Sequence, residues 1–190
     1  MKILVTLLLL VMLSPLGAAQ KFPQSGLPDG VKLRLGNGKI TRMQYSPDGA
    51  RLAVATGIGI WIYDTAKRGE PALFAAHEGV VWCLAFSPDS SVLASGGWDN
   101  DIRLWNASTG DLLRTLEGHT SRIIDVAFSR DGATLASVDD VNAVHFWDTV
   151  SGELRRSFVA RTEEGMAQRG VGSVFGPDGS MLAVWSFVDT

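Results

Sequence analysis

The sequence predicts an all-β fold assembled from one unit used about four times, and three observations carry that prediction. A turn tetrapeptide recurs as Ser46-Pro47-Asp48-Gly49, Ser87-Pro88-Asp89-Ser90, Ser129-Arg130-Asp131-Gly132 and Gly176-Pro177-Asp178-Gly179, at successive offsets of 41, 42 and 47 residues. A closing dipeptide keeps the same phase: Tyr63-Asp64, Trp105-Asn106 and Trp147-Asp148 are 42 residues apart each time, as are His77 and His119. Between these landmarks the apolar residues alternate with period 2, and no window of useful length shows the 3.6 period of a helix. Four short strands in a unit of about 42 residues make the blade of a β-propeller, in which each small sheet packs face to face on its neighbours.

Taken in order, residues 1–19 (MKILVTLLLLVMLSPLGAA) read as an export signal, with Lys2 as the positive start, Leu4 to Leu13 as the apolar core, and cleavage after Ala19. The apolar run falls short of the roughly 20 residues that span a bilayer, which disfavours an uncleaved anchor and implies no stable membrane insertion after cleavage. Residues 20–35 form an N-terminal segment in which VKLRL (31–35) reads as an outer strand following the turn at Asp29-Gly30. The repeat region covers 36–190, with units at about 36–76, 77–118, 119–158 and 171–190, the last of them incomplete.

The second unit shows the pattern best. VVWCLAF (80–86) ends at a turn with Pro in its second position, Val92 to Ser95 is a short apolar strand, Ile102 to Trp105 follows the turn GWDND, and Leu112 to Thr115 follows Ser108-Thr109-Gly110-Asp111. In the first unit LAVATGIGIWIYD is one residue shorter than its counterpart, and apolar packing of Ile58, Ile60 and Ile62 or their neighbours is expected to hold it. VARTEEGMAQRGVGS (159–173) accounts for most of the extra five residues in the last offset and reads as a degenerate unit junction or a partner loop.

Composition narrows the function. Hydrophobic residues make up 46% of the 190 and charged residues 19%, which is globular and not disordered composition. The formal charge is -3, or -4 without Lys2 and the rest of the leader (16 basic against 20 acidic), and no basic stripe exists, so nucleic acid is an unsuitable partner. Cys83 is the sole cysteine, so no intrachain disulfide can form, and its place in VVWCLAF marks it as a small buried hydrophobe. The three histidines are not in ligand-spaced runs, and LPDGVKLRLGNGK lacks the strand–G-x-G-x-x-G–helix context of a nucleotide loop. No cofactor, metal or catalytic residue is expected.

The units resemble WD40 repeats. Gly118-His119, and in degraded form Ala76-His77, open them, while Trp105-Asn106, Trp147-Asp148 and Tyr63-Asp64 close them, over residues 36 to about 185. The resemblance, of an exported bacterial type given the leader, implies a partial β-propeller of about four WD40-type blades with four-stranded antiparallel sheets, the last blade incomplete. It also implies a hydrogen-bonded ladder of histidine, Ser or Thr, Asp and Trp, carried by His77, Ser95, Asp99 and Trp105 in the second unit. In the third, His119, Ser137 and Trp147 keep the spacing, but Val141 stands where the acid belongs and Asp139 and Asp140 come early. The expectation is a rearranged turn from which Asp140 reaches the histidine; the alternative is a broken ladder in which His119 relies on Ser137 alone. Without the repeat, His77 and Asp99 would suggest half of a catalytic pair, but no nucleophile accompanies them.

The resemblance further implies a non-catalytic scaffold for a protein partner, outside the cytoplasm (secreted or periplasmic) if the leader acts as one. The alternative is a propeller that uses its central channel for a small molecule, a glycan or an enzymatic reaction. Trp82 and Trp98 are candidate anchors for a partner, each equally readable as packing on an adjacent blade, and Ser121 and Arg122 open the third unit at the corresponding place. Arg103 is expected to face the outside or a seam between blades and to pair with a local acid. WD40 rings usually close with seven or eight blades, so four units suggest a fragment, self-association to complete the ring, or an open arc.

Overall fold

A computed structural model describes residues 39–67, 71–74, 77–159, 168–175 and 182–188. The chain divides into two compact units, Met1–Asn37 and Gly38–Thr190. The first, with the leader and the strand expected at 31–35, lies outside the described residues.

The second unit is all β, with no helix among the described residues. Strands β1 (Ile40–Tyr45), β2 (Arg51–Thr56), β3 (Gly59–Asp64) and β4 (Ala72–Phe74) form one antiparallel sheet in chain order. β5 (Val81–Phe86), β6 (Val92–Gly97), β7 (Ile102–Asn106) and β8 (Leu112–Leu116) form the second. β9 (Ile123–Phe128), β10 (Thr134–Asp139), β11 (Ala143–Asp148) and β12 (Leu154–Val159) form the third, and β13 (Gln168–Phe175) pairs with β14 (Leu182–Val188) in a two-stranded fourth. This is the arrangement expected from the repeat: four-stranded meanders, with the last incomplete.

The three tetrapeptides among the described residues fold as one device. In each of them the Ser side chain donates to the Asp two residues on, at 2.5 Å for Ser46–Asp48 and Ser87–Asp89 and 2.6 Å for Ser129–Asp131. The same Ser oxygen accepts the N–H of the first residue of the next strand, or its neighbour, five positions later. The turn ends in a left-handed residue, Gly49 (φ 71°), Ser90 (φ 64°) or Gly132 (φ 72°). Ser90 occupies a conformation that favours glycine, and its hydroxyl accepts the Asp48 N–H at 3.1 Å, a bond from one blade to the next.

The sheets stack through apolar faces. Ala53, Ile60, Ile62 and Phe74 of the first meet Leu84, Leu93 and Trp105 of the second in one buried cluster. Ala94, Ile102, Leu104 and Leu116 on the opposite face of the second sheet meet Ile123, Leu135 and Trp147 of the third. Each indole therefore closes the seam with the preceding blade. Ile58, expected to help hold the first unit, sits in the β2–β3 turn and is 58% exposed; Ile60 and Ile62 carry that packing. A two-residue turn projects its side chains beyond the sheet, whereas alternate residues of β3 face the next blade.

Candidate functional site

Two layers of polar and aromatic groups are built on this frame, a buried ladder inside the second and the third blade and an aromatic rim at one end of the same two.

In the second blade the cross-strand register pairs Leu93 with Trp105 and Ser95 with Arg103, so all four project to one face. Trp105 Nε1 donates to Ser95 Oγ at 2.8 Å, and Ser95 Oγ lies 2.7 Å from His77 Nε2. His77 Nδ1 stands 3.0 Å from both Asp99 oxygens. A carboxylate only accepts, so the proton sits on Nδ1 and Nε2 receives the Ser95 hydroxyl. Arg103 is buried in this network: its Nη1 lies 2.5 Å from Asp99 Oδ2 and 2.7 Å from His77 Nδ1, and Nη2 lies 3.5 Å from Asp101. Burial lowers the His77 pKa, and the adjacent guanidinium lowers it further against the pull of Asp99. His77 is a neutral structural group here: the Ser95 hydroxyl beside it is fully buried and its oxygen accepts the Trp105 N–H, so it is not placed to attack a substrate.

In the third blade Ser137 pairs with His145 and Leu135 with Trp147. Trp147 Nε1 donates to Ser137 Oγ at 2.8 Å, Ser137 Oγ lies 2.7 Å from His119 Nε2, and His119 Nδ1 donates to Asp139 Oδ2 at 2.9 Å. The acid is therefore Asp139, and the expectation of Asp140 is corrected. Ser137 and Asp139 are two residues apart on β10 and share a face, whereas Asp140 falls on the other side of the chain. Asp139 also accepts the N–H groups of Val141 (3.1 Å) and Ala143 (2.8 Å), which fixes the turn from inside the blade. The side chain of Asp140 accepts from Ser121 Oγ, and its N–H donates to the Arg122 carbonyl at 3.0 Å. The first blade has Val54 paired with Trp61 at these register positions and no polar ladder.

The rim arises from a bulge that recurs at the start of the first strand of each blade. The register of β5 on β6 shifts between Val81 and Cys83, which leaves Trp82 without a cross-strand partner and turns it out of the sheet. The β6–β7 turn brings Trp98 beside it, with ring centroids 6.5 Å apart and planes 26° apart. Trp98 passes so close to Gly79 that a Cβ there would meet its own at 3.3 Å. From the next blade, the Arg122 guanidinium lies 4.6 Å from the centre of the Trp98 ring, within cation–π range. Trp82 is 43% and Trp98 48% exposed, so neither indole is spent on packing between blades. Of the four sequence candidates, Trp82, Trp98 and Arg122 form one stack, and Ser121 anchors its edge through Asp140.

Sequence reasoning missed Arg103 as a buried member of the second-blade ladder and Asp139 as the acid of the third. The period-2 alternation of TLASVD was the available signal for the second. Cys83 is buried, and burial raises its thiol pKa well above the ordinary value, which leaves it inert. Among the described residues no group of three or more His, Cys, Asp or Glu side chains is placed to hold a metal ion.

Four-stranded antiparallel sheets that repeat every 41 or 42 residues, the second and third each closed by an indole seated on a serine, define a β-propeller repeat protein. The family model "WD domain, G-beta repeat" matches residues 70–106 and 110–148. The chain thus carries two WD40 repeats. It is 34% identical over 85 residues to eukaryotic translation initiation factor 3 subunit I of Neurospora crassa (43% of this chain, 24% of that protein). Over 51 residues it is 47% identical to nuclear distribution protein PAC1 of Coccidioides posadasii (27% of this chain, 11% of that protein). Over 120 residues it is 28% identical to Protein HIR1 of Yarrowia lipolytica (53% of this chain, 11% of that protein). The aligned segments thus span a quarter or less of each relative.

These relatives correct the expectation of an exported, bacterial-type protein in a secreted or periplasmic setting. They are eukaryotic, and the names translation initiation factor and nuclear distribution protein belong to the cell interior. The leader reading rested on the composition of residues 1–19 alone, and a short apolar run after a lysine is not specific to export.

Proposed function

We propose that this WD40 segment is a non-catalytic protein-interaction scaffold that engages its partner through the rim of Trp82, Trp98 and Arg122. WD40 repeats serve as protein-interaction scaffolds, and one matched relative is by name a subunit of a larger initiation factor. The observation that carries the reading is the exposed stack itself. Two indoles and a guanidinium from adjacent blades, held by main-chain bonds, offer a rigid surface of the residue types that dominate interface energetics. The ladder beneath is structural and holds the turn that presents Trp98. Ser121 and Asp140 brace the Arg122 side.

Proximity cross-linking of the full chain in extract, compared between wild type and Trp82→Ala/Trp98→Ala, tests this. The double variant should lose its cross-linked partner while its melting midpoint stays within a few degrees, since both side chains are half exposed. An unchanged cross-linked set with an unchanged fold defeats the proposal. Light scattering on the purified chain separates a foreign partner from a second copy: the double variant would also dissociate a rim-mediated dimer.

A further inference from the structure

The third blade differs from the second at the register position beside the ladder serine. There the second blade places Arg103, a permanent cation paired with Asp99 and Asp101. The third places His145, whose ring stacks on His119 with centroids 3.8 Å apart and planes 14° apart. His145 is buried, and its Nδ1 has no hydrogen-bond partner among the described residues.

This geometry accepts two neutral imidazoles and fits a proton badly. His119 donates from Nδ1 to Asp139, so Nε2 must accept from Ser137, whose oxygen in turn accepts the Trp147 N–H. A second proton on His119 would make Nε2 a donor and leave the Ser137 hydroxyl hydrogen without its acceptor. A proton on Nδ1 of His145 would face no acceptor and would set two charged rings face to face. Asp139 pulls the other way. Among the described residues the titratable groups bearing on the pair are the two rings and Asp139 from β10, while β12 sets Ser157 opposite His145. Burial outweighs the pull of Asp139 in both rings and holds both pKa values below the ordinary one; in His145 the neighbouring His119 adds to the effect.

The pair is joined directly to the rim. His119, Ser121 and Arg122 lie on one short segment, and Asp139 is followed by Asp140, which binds both the Ser121 hydroxyl and the Arg122 carbonyl. Arg122 in turn covers Trp98. We infer that the His119–His145 stack is an acid-sensitive latch on the partner-binding rim: protonation of the stack loosens Asp139 and the 119–122 segment, withdraws Arg122 from Trp98, and weakens partner binding. This regulation rests on the partner-binding reading above, but its structural half can be observed without any partner.

The test follows the Trp98 indole N–H resonance of the full chain, assigned with Trp98→Phe, from about pH 7.5 to about pH 5, across the usual histidine range. The Trp98 resonance should move together with the ring signals of His119 and His145, and should stay fixed in His145→Phe. Should His145→Phe fail to fold, His145→Gln gives the same comparison, and the ring signals of wild type report whether the stack titrates with Trp98. A Trp98 signal that ignores pH in wild type, or moves equally in the folded variant, overturns the latch. Where a partner is cross-linked at about pH 7.5, its capture should fall about tenfold at the lower pH in wild type only, the ordinary size of coupling between two sites. Failure of the interaction reading shows separately, as capture that the Trp82→Ala/Trp98→Ala variant leaves unchanged at the higher pH.

Discussion

In the second blade the imidazole of His77 is held by a carboxylate on the β6–β7 turn, while in the third the carboxylate that holds His119 comes from the end of β10. The turns are otherwise alike: Asn100 (φ 66°) and Asn142 (φ 63°) take the same left-handed place five residues after Ser95 and Ser137. Gly97 pairs with Val81 as Asp139 pairs with Ile123, so the acid has moved two residues, from the position of Val141 to that of Gly97. The ladder thus specifies the place of an oxygen and leaves open the residue that delivers it. The neighbour changes with the acid: a turn carboxylate that keeps slight exposure is shared with Arg103, and a strand carboxylate with no side-chain exposure leaves its neighbouring position to His145.

The largest effect expected from breaking this comparison is that of Asp139→Ala. It strips an acceptor from His119 and from two main-chain N–H groups in a place water does not reach, and should cost about 3 kcal/mol or more by thermal denaturation. Asp99→Ala should cost less, about 1–2 kcal/mol, because the Asp99 side chain is 10% exposed and water can serve the donors left behind. Equal losses would show that burial does not separate the two acids. The double change Asp139→Gly/Val141→Asp moves the acid to the second blade's position and should recover at least about half of the loss of Asp139→Ala. No recovery would mean that the acid must come from the strand.

Next in size are the rungs that the blades share. Ser95→Ala and Ser137→Ala should each cost about 1–2 kcal/mol, by leaving an indole N–H and an imidazole nitrogen unpaired, and the two values should agree. Acid should weaken both blades. His77, His119 and His145 all have folded pKa values below the ordinary one, so the unfolded chain binds protons more readily. Their contribution is complete above about pH 6.5 and is lost as the pH falls below it. A melting midpoint that rises on acidification from about pH 7 to about pH 5 would contradict that sign.

The fold was legible because its signals are local. A Ser-Pro-Asp-Gly turn is built from its own side chains, and a period-2 strand shows its buried face in six residues. The second-blade ladder can be laid out by spacing because His77, Ser95, Asp99 and Trp105 repeat a pattern. In the third blade spacing pointed to Val141, which is no acid, with Asp140 as the expected substitute, and the decision belongs to strand alternation: Asp139, two after Ser137, shares its face. The rim is less legible still. Trp82, Trp98 and Arg122 are distant in the chain, and they meet because a bulge at Trp82 and the stacking of two blades turn them to one edge, neither of which has a signature in the residues themselves.

The smallest expected effect concerns the closing residue, Asn106 in one blade and Asp148 in the other. Asn106 Oδ1 accepts the N–H groups of Ser108 (2.9 Å) and Thr109 (3.1 Å), and Asp148 Oδ1 accepts those of Val150 (2.8 Å) and Ser151 (2.7 Å). An amide oxygen therefore closes the turn as a carboxylate does, and the charge serves only Arg155, which pairs with Asp148 at the surface. The Ser151 N–H and then Arg155 hold the Asp148 pKa down to about 2. Its folded value lies below its unfolded one, so its contribution is present above the ordinary carboxylate range and fades as the pH falls toward about 2. Asp148→Asn should leave the melting midpoint at neutral pH within about 2 °C of wild type and flatten its decline only below about pH 4. A large loss at neutral pH would show that the third blade needs the charge where the second does not, and that the blades differ at their closing turns as well as along their ladders.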